Sequence, residues 1–158
     1  MNNTNPGLEE FVMPALLRHA RDTYGIAMRK ALAEAGYDDI PRNGLYVIGG
    51  LAMGAGGVPL GELVQALRVS KQAAGQLVDT LVLRGYLERT VDAEDRRKLT
   101  VTLTERGRAA AETQAVARAE IDTKLLACVG QENVNSTRKT LAALIDLGHQ
   151  GRDGQGDE

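Results

Sequence analysis

The stretch that decides the fold runs from Leu60 to Leu103, LGELVQALRVSKQAAGQLVDTLVLRGYLERTVDAEDRRKLTVTL. Its first part, Leu60 to Leu67, reads as a short helix that turns Leu60, Leu63, Val64 and Leu67 inward. Arg68-Val69 is a tight connection. Ser70 then offers its hydroxyl to an orphan amide of the next helix. That helix buries Ala74, Leu77, Val78 and Leu81 at steps of three and four, and Gly85 closes it. Two short helices so closely joined make a helix-turn-helix. The period then changes. Leu87 to Val91 and Lys98 to Leu103 read as strands, and in the second Leu99, Val101 and Leu103 alternate with threonines. Asp92 to Arg97 is the charged hairpin tip between them. A helix-turn-helix followed at once by a β-hairpin is a winged helix.

On the N-terminal side, apolar residues recur after Pro14 at Leu17, Ala20, Tyr24, Met28, Ala31 and Ala35, one stripe down a long helix that Gly36 stops. Pro14 sits in its first turn, or kinks a helix that begins near Leu8. A second helix starts at Pro41 with Asp39 as its cap and carries Leu45, Ile48 and Leu51 inward. The run Gly54-Ala55-Gly56-Gly57 ends it. That run lacks the Gly-Lys-Ser/Thr ending of a phosphate loop and reads as a linker. After the hairpin, Thr104 caps an Ala-rich helix that continues through Ile121, Leu125 and Leu126. A last helix follows Gly130, with Val134, Leu141, Leu144 and Ile145 on one face, and Gly148 stops it. The ends, 1–7 and 149–158, are polar and read as flexible tails. The fold expected is mainly α with a small β-hairpin. A helical domain (8–36 and 104–148) flanks a winged helix-turn-helix domain (37–103).

Composition narrows the function. The 158 residues are 43% hydrophobic, enough for a sizeable core, and no apolar run is long enough to span a membrane. No secretory signal opens the chain, and its one cysteine, Cys128, fits a reducing cytoplasm. Cys128 sits in an apolar neighbourhood and reads as a buried, inert thiol. The formal net charge of −2 excludes a uniformly basic nucleic-acid binder. With no Trp and one Phe, stacking platforms for single strands are poorly supplied. Two histidines far apart make no metal cluster, and no constellation suggests an enzyme or a cofactor.

Charge is not spread evenly. From Arg68 to Arg108 nine basic residues stand against six acidic ones, whereas the whole chain is acidic. The outer face of the Ser70 helix shows Ser70, Lys71, Gln72, Gly75, Gln76 and Asp79. Glutamine matches an adenine edge, lysine reaches guanine or phosphate, and Gly75 permits close approach. The same face is also what a solvated helix presents. Arg96, Arg97 and Lys98 crowd the hairpin tip beside Asp95, as a loop entering a minor groove requires. Asp95 can brace the Arg97 guanidinium. A salt-bridged turn that merely keeps the hairpin soluble would look alike. On the first two helices, Arg18, His19, Arg21, Tyr24 and Tyr46, with Tyr37 and Asn43 nearby, supply groups suited to an aromatic carboxylate, or are core rings and solvated arginines.

These residues resemble the multiple-antibiotic-resistance regulator (MarR) family of winged-helix transcription factors. The resemblance is carried by Leu60-Gly61-Glu62-Leu63, Val69-Ser70-Lys71-Gln72-Ala73, Leu77-Val78, Arg84-Gly85-Tyr86-Leu87, Asp95-Arg96-Arg97 and Leu103-Thr104-Glu105-Arg106-Gly107. With the flanking helices it covers roughly residues 8 to 148. It implies a homodimer held by the first and last helices, binding double-stranded DNA at a pseudo-palindromic operator. Ser70, Lys71, Gln72, Gly75 and Gln76 would face the major groove. Arg97, braced by Asp95 and flanked by Arg96 and Lys98, would face the minor groove. It also implies a repressor released by a small, often aromatic or phenolic effector lodged between the helical and winged domains. The competing expectation is a winged-helix protein-interaction module that has lost specific DNA binding.

Overall fold

The computed structural model of this chain describes residues 7–54, 57–67 and 69–153. The expected polar start (1–6), the middle of the glycine-rich run, Arg68 and the last five residues lie outside them. The chain forms two compact units. One is Gly7–Ala119 and the other contains the described residues from Glu120 to Asp153.

In the first unit a 3-10 turn (Leu8–Glu10) precedes α1 (Met13–Glu34), so Pro14 occupies the first turn rather than a kink. The buried stripe of α1 is Gly25, Met28 and Leu32, with Tyr24 and Ala31 packed beside it. Ala20 and Ala35, expected inside, are exposed. Ala35 is the C-cap beyond the helix, and Ala20 lies in its N-terminal half, where no residue before Gly25 is buried. Helix α2 (Gly44–Met53) starts three residues later than Pro41 suggests, and the side chain of Asn43, not Asp39, stands at its N-cap, without a capping hydrogen bond. Both Gly49 and Gly50 are helical.

Strand β1 (Val58–Pro59) pairs antiparallel with β3, giving a three-stranded sheet in the order β1-β3-β2. Two residues carry no periodic signal, which is why the hairpin alone was legible. Helix α3 (Leu60–Ala66) buries Leu63 fully, while Leu60, Val64 and Leu67 are half-buried. Helix α4 (Lys71–Leu83) buries Ala74, Val78 and Leu81, as its spacing predicts, while Leu77, expected with them, is half-buried. Strands β2 (Leu87–Val91) and β3 (Leu99–Leu103) pair Leu87 with Leu103 and Val91 with Leu99. Val101 and Leu103 point into the core; Leu99 stands at the hairpin's outer end and is exposed. The core gathers Ile48, Val78, Leu81, Tyr86, Leu87, Val101 and Ala110, each almost wholly buried. Each large aliphatic member contributes about 1.5–3 kcal/mol through burial.

Helix α5 (Glu105–Asp153) begins at Thr104, whose hydroxyl accepts the Gly107 amide at 3.0 Å. It is interrupted at Gly130, whose φ of 79° and ψ of 162° are not helical. Beyond it the helix runs past Gly148 to Asp153, so the expected stop at Gly148 and the tail from 149 are helical that far. An exposed glycine costs a helix about 1 kcal/mol, which does not end one. In the second unit Leu125, Leu126, Val129, Leu144, Ile145 and Leu147 are all exposed, and so is Cys128. The expected burial of Cys128 fails: its apolar neighbours Leu125, Leu126 and Val129 are themselves exposed.

Candidate nucleic-acid interface

Ser70 does what its position predicts: its Oγ accepts the Ala73 amide at 3.1 Å and fixes the start of α4. Lys71, Gln72 and Gln76 are exposed, and Gly75 is half-buried. A Cβ added at Gly75 would meet no atom of the chain within 4 Å, so the fold itself does not require glycine there. Asp79 follows Gln72 and Gln76 along the same face at helical spacing. It is joined to Arg89 of β2, which donates from Nη2 to the carboxylate. This pair ties the outer face of α4 to the hairpin and neutralises the Asp79 charge. Arg89 was missed in sequence, since neither strand position nor charge names its partner.

The hairpin tip is a built turn. One oxygen of Asp92 accepts the amides of Glu94 (2.8 Å) and Asp95 (3.1 Å), and these bonds hold its carboxyl below the usual range. The Lys98 amide donates to the Asp95 carbonyl at 2.9 Å. Asp95 does not brace the Arg97 guanidinium as expected. Its carboxylate accepts the Arg97 backbone amide at 3.0 Å, because a contact two residues away closes a local turn at little entropic cost. Arg96, Arg97 and Lys98 are exposed.

Behind this surface, Asp39 lies in a network that sequence reasoning missed. Its carboxylate accepts from the buried Tyr86 hydroxyl and from Arg106 at 3.3 Å, and its carbonyl accepts from Arg84. Arg106 also donates to the Tyr86 oxygen at 3.0 Å and lies over the rings of Tyr37 and Tyr86. Tyr86's hydrogen bond, more than any other cause, holds the Asp39 carboxyl below its ordinary value; burial opposes it, and the Arg106 charge and hydrogen bond add to the lowering. Burial and then Asp39 push the Tyr86 phenol above its ordinary value. The depressed Asp39 contributes stability at pH above about 4 that is lost on acidification. The raised Tyr86 contributes stability below about pH 10 that is lost at higher pH. Replacing Tyr86 with Phe should cost about 1–2 kcal/mol near neutrality. It should also flatten the loss of stability between about pH 5 and 2. Urea titrations at several pH values read both; parallel acid limbs in wild type and variant would contradict the assignment.

The expected effector residues separate. Arg21 and Tyr46 come together, the guanidinium 4.2 Å above the ring centre. Both line a cavity of about 780 Å³ whose mouth also has Arg42 and Asn43 and whose walls include Leu63, Leu67 and Leu77 of the helix-turn-helix. Arg18 and His19 are exposed and lie outside that lining, His19 against the ring of Phe11. Tyr24 is half-buried against the core. Arg42 was missed in sequence; its only signal was a place beside Asn43. No group of three or more potential metal-binding side chains occurs among the described residues. None of the helices there is long and apolar enough to cross a membrane.

Residues 38–98, which hold α2, the helix-turn-helix and the hairpin up to Lys98, match the MarR family. The match covers less than half of the chain. Solved MarR-type structures share the fold over most of the chain. The Staphylococcus aureus MepR–DNA complex superposes with a TM-score of 0.70 at 20% identity, covering 87% of this chain and 98% of that one. Streptococcus pneumoniae FabT in complex with DNA gives 0.71 at 20%, covering 87% and 94%. A MarR transcriptional regulator from Methanosarcina mazei gives 0.72 at 20%, covering 87% and 96%. Among curated proteins none matches this chain. Within the matched residues α4 occupies the second position of the helix-turn-helix, and β2 pairs with β3 just beyond them to form the wing.

Proposed function

We propose that the chain is a sequence-specific, DNA-binding transcriptional regulator, acting as a repressor and not as an enzyme. The observation that carries this reading is the joining of two exposed polar surfaces. The Ser70-capped face of α4, with Lys71, Gln72 and Gln76, is pinned through Asp79 and Arg89 to a wing whose tip exposes Arg96, Arg97 and Lys98. Gly75 lets the helix approach base edges, and Asp95 shapes the tip by holding the Arg97 amide. Two of the solved structures with this fold were determined with DNA bound.

The active species is a homodimer in the cytoplasm. Residues 8–36 and 104–148 form its helical domain and 37–103 its winged domain. The exposed apolar side chains of Leu125, Leu144 and Ile145 support this, since monomers rarely leave such surface uncovered. Two wings related by a two-fold axis take a pseudo-palindrome with half-sites about one helical turn apart. The cavity at Arg21 and Tyr46 takes the effector. Its guanidinium-over-ring mouth and apolar walls suit an aromatic carboxylate, and the walls belong to α3 and α4 themselves. Arg18, His19 and Tyr24 share helix α1 with Arg21 but lie outside the cavity lining.

The test is a footprint on the DNA flanking the chain's own gene, repeated with a panel of small aromatic acids. A symmetric protected site that one acid dissolves is expected. A specific protein partner recovered with no protected sequence would replace this reading by that of an interaction module.

A further inference from the structure

The two faces of the wing differ in chemistry. Across the β2–β3 register Leu87 pairs with Leu103, Arg89 with Val101 and Val91 with Leu99, so these six residues share one face of the hairpin. Leu87, Val101 and Leu103 belong to the core, and Arg89 reaches from the same face to Asp79 of α4. The face therefore turns towards α4. It does not end where the core ends. Val91 and Leu99 carry it outward with 58% and 41% exposure. The opposite face carries Glu88, Thr90, Thr100 and Thr102, as suits a hairpin in water. A lone exposed aliphatic side chain is ordinary on a protein surface. Two of them joined across the strands, on the side that faces α4, form a small apolar strip with no function in the core.

The surroundings of the strip identify what covers it. Lys98 adjoins Leu99, and Arg96, Arg97 and Lys98 are all exposed. Asp92, Glu94 and Asp95 share the tip, but Asp92 and Asp95 each turn a carboxylate oxygen onto backbone amides of the turn. On the inner side the Arg89–Asp79 pair joins this face to the polar row of α4. A narrow apolar strip beside exposed cations matches the edge of a DNA strand, where the C–H surface of each deoxyribose lies between two phosphates. Two side chains are too little for a stable protein interface. We propose that Val91 and Leu99 pack against the sugars of the strand that runs between the groove taken by α4 and the groove taken by the wing. They are positioning residues: they set how the wing sits on the duplex and read no base. This inference rests on the DNA-binding reading above.

The test compares the full wild-type chain with the double variant Val91→Thr, Leu99→Thr on the footprinted duplex over a range of salt concentrations. Threonine favours strands and already lines the other face of the hairpin, so thermal unfolding should change little. Affinity should fall about five- to thirtyfold at every salt concentration. The slope of log affinity against log salt should stay that of wild type, because covering a C–H surface releases no counterions. Leu99→Thr alone should give a smaller loss of the same kind, and it replaces the double variant if that one does not fold. Variants that bind as tightly as wild type overturn the proposal. A loss that comes with a shallower slope also overturns it, since the tip's phosphate contacts would then be what was disturbed. Unchanged DNA affinity with weakened self-association in sedimentation would assign the strip to a second copy of the chain instead. A wild-type chain that protects no duplex is a different failure: it removes the DNA-binding reading itself, and this inference with it.

Discussion

Replacing Gly107 with Ala is expected to destabilise the winged lobe by about 3 kcal/mol or more. A Cβ at that position would lie 2.1 Å from the backbone oxygen of Tyr86 and 3.1 Å from a methyl of Leu103. The first contact is with main chain, which cannot swing aside as a side-chain tip can. That main chain is held from several directions. The Thr104 amide donates to the Tyr86 carbonyl at 3.1 Å, and the Thr104 hydroxyl donates to the Gly85 carbonyl. Gly85 itself turns the chain from α4 into β2 with a φ of 79°. The pattern Leu103-Thr104-Glu105-Arg106-Gly107 thus has a mechanical reading. Threonine starts α5 and staples it to the turn, and glycine lets the helix lie against that turn. A methyl group there pushes α5 away from the start of the wing. Urea unfolding of the variant measures the loss. Gly61→Ala is the control: nothing lies within 4 Å of a Cβ at that helical site, and the change should stabilise by about 0.5–1 kcal/mol. If Gly107→Ala unfolds within about 0.5 kcal/mol of wild type, the close approach is not a constraint on the fold.

What could be read from sequence was what is local. The Ser70 cap, the inward set Ala74, Val78 and Leu81, and the alternation at Val101 and Leu103 depend on neighbours three, four or two residues away. Asp39 shows the opposite case. Its short side chain before an apolar run is what a helix cap looks like, but its partners lie 47 and 67 residues on, at Tyr86 and Arg106. Gln114 is likewise invisible as a buried residue, because in an Ala-rich helix a glutamine reads as solvent-facing until Gly49 of another helix is brought against it. The alanines at 20 and 35 completed an apolar stripe by type alone, whereas burial in α1 is confined to Gly25, Met28 and Leu32 of its C-terminal half. At the candidate interface the polar residues themselves were legible. The wiring was not: Asp95 holds an amide rather than a guanidinium, and Arg89 holds Asp79. Charge pairs two residues apart, or across a strand and a helix, have no periodicity to reveal them.

That wiring makes the wing separable from the fold, and so gives the second large effect. Arg97 contributes its backbone amide to the tip through Asp95, while its side chain is exposed. Truncating it to alanine leaves the amide, the Asp92 turn and the β2–β3 register in place, so the melting temperature should hold. Affinity for the footprinted site should nevertheless fall by about 1–3 kcal/mol, roughly five- to 150-fold, if the guanidinium enters a groove. The conservative Arg97→Lys separates two causes of such a loss. A phosphate contact needs only the charge, so lysine should restore most of the affinity. A narrow groove favours the flat, weakly hydrated guanidinium, so lysine should restore little. The salt dependence gives an independent reading, since losing one phosphate contact lowers the slope of log affinity against log salt by about one per wing. Asp95→Ala completes the comparison. It leaves the Arg97 side chain untouched but frees the amide that sets its direction, so it should weaken binding less than Arg97→Ala and through a looser tip. An Arg97→Ala protein that binds the site as tightly as wild type would remove the wing from recognition and leave α4 to act alone.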